Sequence, residues 1–138
     1  MESIGQLLIL LQKAHRKAIA ERLTALQLYP GQDGLLYHLS RNDGQTMSDL
    51  VERMGIRHPT LFTMVNRMET AGLIRKEKDG NDRRASRIFL TAKGRKQLAQ
   101  LAQIWQEIEK RLTKGMHAEE RNATKAALAR LIDNLGQE

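Results

Sequence analysis

The chain contains no cysteine among its 138 residues, and only 4% of them are aromatic. The missing cysteines exclude a disulfide framework, a thiolate zinc site and thiol-based redox sensing. Long apolar runs are also missing, because the longest one, Leu7–Leu11, is far too short to cross a bilayer. These absences predict a cytoplasmic protein that has no membrane partner.

The residues that are present are those of a soluble globular chain, with 41% hydrophobic and 28% charged side chains. Its length predicts one domain spanning 1–138. The net charge is +7, and its position is more informative than its size. The segment 57–96 holds eleven Lys or Arg against four Asp or Glu, whereas the remainder is neutral. This concentration indicates a polyanionic partner, and a basic face kept for solubility is the alternative.

The pattern of apolar residues predicts several helices, two of which form a helix-turn-helix. Three- and four-residue steps from Ile4 to Leu28 indicate a long amphipathic helix that Pro30 ends, and another follows over 31–40. Thr46 is suited to cap a short helix that Gly55 ends. Pro59 then begins a helix that runs to about Ala71. Two helices joined by a tight turn form a helix-turn-helix.

A β-hairpin is predicted directly after this motif. The β-compatible runs Leu73–Lys78 and Ser86–Thr91 flank an Asp79-Gly80 turn signal, which makes the hairpin a wing. Two further helices are predicted, from Thr91 to about Gly115 and over 118–135. The predicted fold class is therefore mainly α with a small β-hairpin (α+β). It is a winged helix-turn-helix at 29–98, with helical dimerisation segments at 1–28 and 99–138.

The helix that begins at Pro59 has two contrasting faces. Leu61, Met64, Val65 and Met68 form one compact stripe, and the opposite arc is polar. Short hydroxyl, amide and arginine side chains suit contacts with base edges and phosphates. An ordinary polar surface is the alternative for this face, and Phe62 could touch a thymine methyl or cover the core edge. In and around this helix the predicted DNA contacts are Ser48, Arg57, His58, Thr60, Phe62, Thr63, Asn66 and Arg67.

Arginines cluster beside the hairpin turn. Arg84 is predicted to enter a minor groove, whose narrow form attracts arginine, while Arg83 and Arg87 contact the backbone. Asp82 is predicted to hold the tip of the turn in shape. In the alternative, all three arginines lie over phosphates and add affinity without selectivity.

Three segments of this chain resemble the MarR family of winged-helix transcriptional regulators. They are Met47-Ser-Asp-Leu-Val-Glu-Arg-Met-Gly55, the run from Thr60 to Arg75, and Asp82-Arg-Arg-Ala-Ser-Arg-Ile-Phe-Leu-Thr-Ala-Lys-Gly94. The outer helices match the family by pattern only. The resemblance implies a homodimer on a pseudo-palindromic double-stranded operator, with Arg84 as the wing arginine and Asp82 as its positioning partner. It also implies repression that a small aromatic or phenolic effector releases, and the missing cysteine rules out an oxidant switch acting through a thiol.

Catalysis finds no support in the sequence, which has no phosphate-binding glycine loop, nucleophile elbow or paired carboxylates. No cofactor is expected. The four histidines lack metal-ligand spacing, so no metal site is predicted and His15 is interpreted as structural. No cluster of residues suited to an anion is recognised outside 57–96, which leaves the ligand site unknown. A protein-binding winged helix and a nonspecific architectural DNA protein remain as alternatives.

Overall fold

The computed structural model describes residues 2–81 and 85–136. Its elements follow one another as α1 (Ile4–Leu23), a 3-10 turn (Thr24–Leu26), α2 (Gln32–Arg41), β1 (Gln45–Thr46), α3 (Met47–Met54), α4 (His58–Thr70), β2 (Ile74–Lys78), β3 (Ser86–Leu90), α5 (Ala92–Leu112) and α6 (Ala118–Gly136). The predicted fold class is confirmed: the chain is mainly helical and carries a small sheet.

The helix-turn-helix forms as the sequence predicts. The Thr46 hydroxyl accepts the Asp49 amide at 3.1 Å, and the Asp49 carboxylate accepts the Thr46 amide at 3.2 Å, which closes a capping box on α3. Gly55 ends α3 in the left-handed conformation, with φ of +63°. Pro59 lies in the first turn of α4, where a missing amide hydrogen costs nothing.

The first helix ends earlier than the sequence predicts. It stops at Leu23, a 3-10 turn follows, and Gln27 adopts a left-handed φ of 57°. The Leu28 side chain is buried in the core, and its amide donates to the Leu23 carbonyl at 3.1 Å. The burial of Leu28 therefore ends the helical stretch before Pro30 is reached.

The sheet has three antiparallel strands in the order β1-β3-β2. Strands β2 and β3 form the predicted hairpin, from the pair Ile74 and Leu90 to the pair Lys78 and Ser86. Strand β1 is a two-residue addition that the sequence analysis does not predict, and it pairs Gln45 with Ile88. This extra pairing attaches the hairpin to the start of α3.

One core lies beneath α4 and the sheet. Leu35, Leu36 and Leu39 of α2 are completely buried, as are Leu61 and Val65 of α4 and Leu101 of α5. Helix α5 begins against this core, and an ion pair between Arg22 and Glu107 joins its far half to α1.

Apolar side chains are exposed along α6 and along the first half of α1. Helix α6 has no fully buried residue, and Ile132 and Leu135 are 70% and 85% exposed. The first half of α1 exposes Ile4 and the whole run from Leu7 to Leu11. Monomeric proteins rarely leave large apolar patches open to water.

Candidate nucleic-acid interface

Helix α4 presents the polar face that the sequence predicts. Leu61, Val65 and Met68 are at most 1% exposed and anchor the helix on the core. The opposite side, which includes Thr60, Thr63 and Arg67, is exposed to solvent. An exposed helix face with short polar side chains is compatible with close approach to base edges in a major groove.

Two threonines on α4 direct their hydroxyl hydrogens back to their own helix. Thr63 donates to the Pro59 carbonyl at 3.1 Å, and Thr70 donates to the Asn66 carbonyl at 3.0 Å. In this arrangement Thr63 offers oxygen lone pairs and a methyl group to its surroundings. It is therefore suited to accept from an exocyclic base amine or to contact a thymine methyl.

Asn66 is half-buried on the side of α4 that faces the hairpin. Its Oδ1 accepts from the Lys76 ammonium, which also lies 3.7 Å from a Glu69 carboxylate oxygen. The same ammonium is 5.5 Å from the centre of the Phe62 ring, within the range of a cation–π contact. Lys76 therefore links α4 to β2, and the amide nitrogen of Asn66 is a donor that this contact does not use.

A shallow cleft of about 240 Å³ lies between α4, the start of α3 and the hairpin. It brings together Ser48, His58 and Phe62, three of the residues predicted to contact DNA, and adds Lys76 and Ser86. Lys76 is not evident as a site residue from the sequence, because nothing in its spacing of ten residues from Asn66 indicates that the two side chains meet. Arg57, also a predicted contact, is exposed at the N-cap position of α4.

Arg87 is engaged within the protein, although the sequence analysis assigned it only to DNA. Its guanidinium donates to the Gly44 carbonyl at 2.8 Å and to the Asp79 carboxylate at 3.4 Å. It thus joins β3 to the turn before β1 and to the end of β2. The contact between Arg87 and DNA stays a prediction. If it forms, the Arg87 side chain is already positioned for it by its hydrogen bonds within the protein.

Asp79 is stabilised in its charged form at the base of the hairpin loop. The backbone amide of Asn81 donates to its carboxylate at 3.2 Å and is the main cause of a lowered pKa, below the ordinary value of 3.8. The Arg87 guanidinium lowers the pKa of Asp79 further, against a desolvation that raises it. The predicted wing residues Asp82, Arg83 and Arg84 lie outside the described residues.

A second cleft, of about 360 Å³, lies between α1, α2 and α3. His15 and Arg16 of α1 line it together with His38 of α2 and Arg53 of α3, and Asp33 is the acid beside them. The Asp33 carboxylate accepts the Gly31 amide at 3.0 Å. This cluster outside 57–96 is not evident from the sequence, because its members come from three helices and share no spacing.

Within 2–81 and 85–136, no group of three His, Asp or Glu side chains is placed to hold a metal ion. No helix in the described part of the chain is both long and apolar enough to cross a membrane.

The family model described as "MarR family" matches residues 30–85, which contain the helix-turn-helix and the first strand of the hairpin. The winged-helix region of this chain is therefore similar to that of the MarR family. The MarR-family resemblance in the sequence motifs is thereby confirmed.

Solved MarR structures share the fold over nearly the whole chain. A MarR transcriptional regulator from Methanosarcina mazei Go1 is 24% identical, with a TM-score of 0.88 and 98% of each chain covered. A mutant MarR from E. coli complexed with operator DNA is 22% identical, with a TM-score of 0.85, covering 93% of this chain and 92% of that one. A protein assigned to the MarR family of transcriptional regulators from Listeria monocytogenes, complexed with 26mer DNA, is 23% identical. Its TM-score is 0.88, and 98% of this chain and 90% of that one are covered.

Proposed function

We propose that this chain is a transcriptional regulator that binds double-stranded DNA sequence-specifically and represses from a pseudo-palindromic operator as a homodimer. The observation that carries the proposal is the exposed polar face of α4, set on a buried apolar stripe and flanked by a basic hairpin. Operator DNA in the complex of the E. coli MarR, which has the same fold, supports the proposal.

The test of DNA binding uses duplexes recovered by the wild-type protein from a randomised pool at physiological salt. We expect these duplexes to bind at least about 10³-fold more tightly than a random duplex, as specific regulators do. Thr63→Glu places a negative charge on the exposed face of α4 and should abolish this preference. Gln103→Glu makes the same addition on the exposed side of α5 and should bind as the wild type does. Equal binding of selected and random duplexes would indicate an architectural protein instead.

The homodimer is proposed from the apolar surface at the far end of the molecule. Leu11, Ala18, Ile108 and Leu112 help line a shallow groove between α1 and α5. The exposed apolar residues of α6 offer a matching surface on a second copy. We therefore assign 29–98 to DNA binding and 1–28 with 99–138 to dimerisation. Two-fold symmetry then predicts half-sites about one helical turn apart.

We also propose that a small aromatic acid binds in the cleft between α1, α2 and α3 and releases DNA. Arg16 and Arg53 can pair with the carboxylate, while Ile19 and Ile56 can cover the ring. Salicylate should lower the affinity for the selected duplex in a concentration-dependent way. Arg53→Gln should weaken this response, and benzyl alcohol, which lacks the carboxylate, should not produce it. A response that is unchanged in Arg53→Gln would place the ligand elsewhere.

A further inference from the structure

An open groove runs along α4 and continues past the C-terminal end of this helix. It consists of two adjoining depressions of about 340 and 700 Å³, which share Tyr29, Gln32 and Arg67. Among the described residues that line it, Arg67 is the charged one, and none is acidic.

Tyr29 stands on a fixed backbone at the edge of this groove. Its amide donates to the side-chain oxygen of Gln32 at 3.0 Å, and the Gln32 amide donates to the Tyr29 carbonyl at 3.0 Å. Gln32 is buried, and Leu28 on the other side of Tyr29 is buried in the core. The Tyr29 side chain itself is 65% exposed, so packing in the core does not account for a large aromatic at this position.

The width of the DNA major groove indicates what can lie against this open groove of the protein. A major groove about 12 Å wide admits one helix about 10–12 Å across, so both flanks of that helix approach a sugar–phosphate strand. On one flank of α4 lies the cleft with Ser48 and Lys76. On the other flank lies the groove with Tyr29 and Arg67.

From this placement we infer that Tyr29 is a DNA-backbone contact, whose phenol O–H donates to a phosphate that Arg67 also binds. The inference rests on the proposed DNA-binding function and adds a residue that the basic segment 57–96 does not contain. Tyrosine hydroxyls donate to phosphate oxygens without reading the base sequence, and arginine adds a charge-assisted hydrogen bond. Tyr29 therefore fixes the position of α4 in the DNA major groove, while the exposed face of α4 reads the bases.

The first test removes only the hydroxyl. Tyr29→Phe should lower the affinity about tenfold, the loss expected for one hydrogen bond to a charged acceptor. The loss should be equal for the duplex selected by the wild type and for a random duplex of the same length. The slope of log affinity against log salt should not change, because the phenol is neutral. Tyr37→Phe is the matched control, since Tyr37 is also exposed but packs edge-to-face against Trp105, and it should bind as the wild type does.

The second test converts the neutral contact to a charged one. Tyr29→Lys should bind at least as tightly as Tyr29→Phe at low salt, and its salt slope should be steeper by about one released counterion. Unfolding curves of the three variants should match that of the wild type. Wild-type affinity in Tyr29→Phe, or a loss confined to the selected duplex, would overturn the inference and leave the proposed function standing. Failure of the wild type to bind either duplex would contradict both the proposed function and the inference about Tyr29.

Discussion

At the scale of single residues, Gly94 lies where two elements approach each other closely. A Cβ atom at this position would lie 2.1 Å from the backbone carbonyl oxygen of Leu73, where the first turn of α5 meets the start of the hairpin. The Leu73 carbonyl also accepts the Thr91 amide at 3.1 Å, so it is not free to move away. Only a residue without a side chain allows this contact.

Gly94→Ala should therefore lower the free energy of unfolding by about 1–3 kcal/mol or more, the usual cost of overpacking. The measurement is urea unfolding at a fixed protein concentration, because dimerisation makes stability depend on concentration. Gly80→Ala is the control, since nothing lies within 4 Å of a Cβ at Gly80. Equal unfolding midpoints for the two variants would contradict the close contact.

Asp79 gives a second prediction at this scale, one that depends on pH. Its native pKa is lowered, so the carboxylate contributes stability above the unfolded pKa of about 3.8. This contribution is lost as the pH falls through the lower native pKa. Asp79→Asn should be less stable than the wild type at pH 7, and the difference should shrink as the pH approaches 2.

The variant Asn81→Ala serves as the control for Asp79. The hydrogen bond to the carboxylate comes from the Asn81 backbone amide, which alanine keeps. This variant should retain the pH profile of the wild type. An Asp79→Asn profile that runs parallel to the wild type down to pH 2 would show that the charged form gains nothing from folding.

Residues whose role follows from local periodicity could be predicted from the sequence. The buried stripe of Leu61, Val65 and Met68 emerges from helical spacing alone, and Gly55 as a helix stop emerges from its position. The contacts of Arg87 could not be predicted, because Gly44 lies 43 residues away along the chain. The same holds for the basic cleft between α1, α2 and α3, whose members meet only after the helices pack.

At the scale of elements, α3 depends on its N-terminal cap. This helix has eight residues, too few for stability by itself, and Thr46 satisfies the Asp49 amide at its start. Thr46 also belongs to β1, so the same residue joins the sheet to the helix-turn-helix.

Thr46→Ala should cost about 1 kcal/mol of unfolding free energy, the typical loss for a helix N-cap. Thr46→Ser keeps the hydroxyl and should remain close to the wild type. Chemical denaturation of both variants at one protein concentration is the measurement. Similar losses in the alanine and serine variants would assign the effect to the threonine methyl group rather than to the cap.

Element types were easier to predict than element ends. The caps of α3 and α5 are encoded by Thr46 and Thr91, and both helices begin where these residues predict. The end of α1 depends on burying Leu28, which is a tertiary event. Strand β1 has only two residues and exists because β3 is beside it, so no local pattern could indicate it.

At the scale of the whole molecule, the apolar residues at the end of α6 test the dimer. Ile132→Asp together with Leu135→Asp should give a monomer by sedimentation, because two charges would be buried without partners in the interface. The affinity for the selected duplex should fall by more than about tenfold as the second half-site contact is lost. Arg130→Asp and Asp133→Arg, on the opposite side of α6, form the control pair and should leave the dimer intact. If the protein with both aspartates is still a dimer, the interface does not lie on this part of α6.

Helix α5 has a mechanical consequence for how the molecule meets its DNA. It is one unbroken element of 21 residues, about 30 Å long, clamped to the hairpin base at Gly94 and joined to α1 near its far half. A tilt of about 10° around its far end would sweep the hairpin base through about 5 Å, by the geometry of a rod of that length. This distance exceeds the roughly 3.4 Å rise of one base pair. Because Leu101 of α5 and Leu90 at the hairpin base are buried in the same core, a small rotation of α5 would carry the hairpin with it. Under the proposed function, such a rotation is enough to take the wing out of step with the double helix.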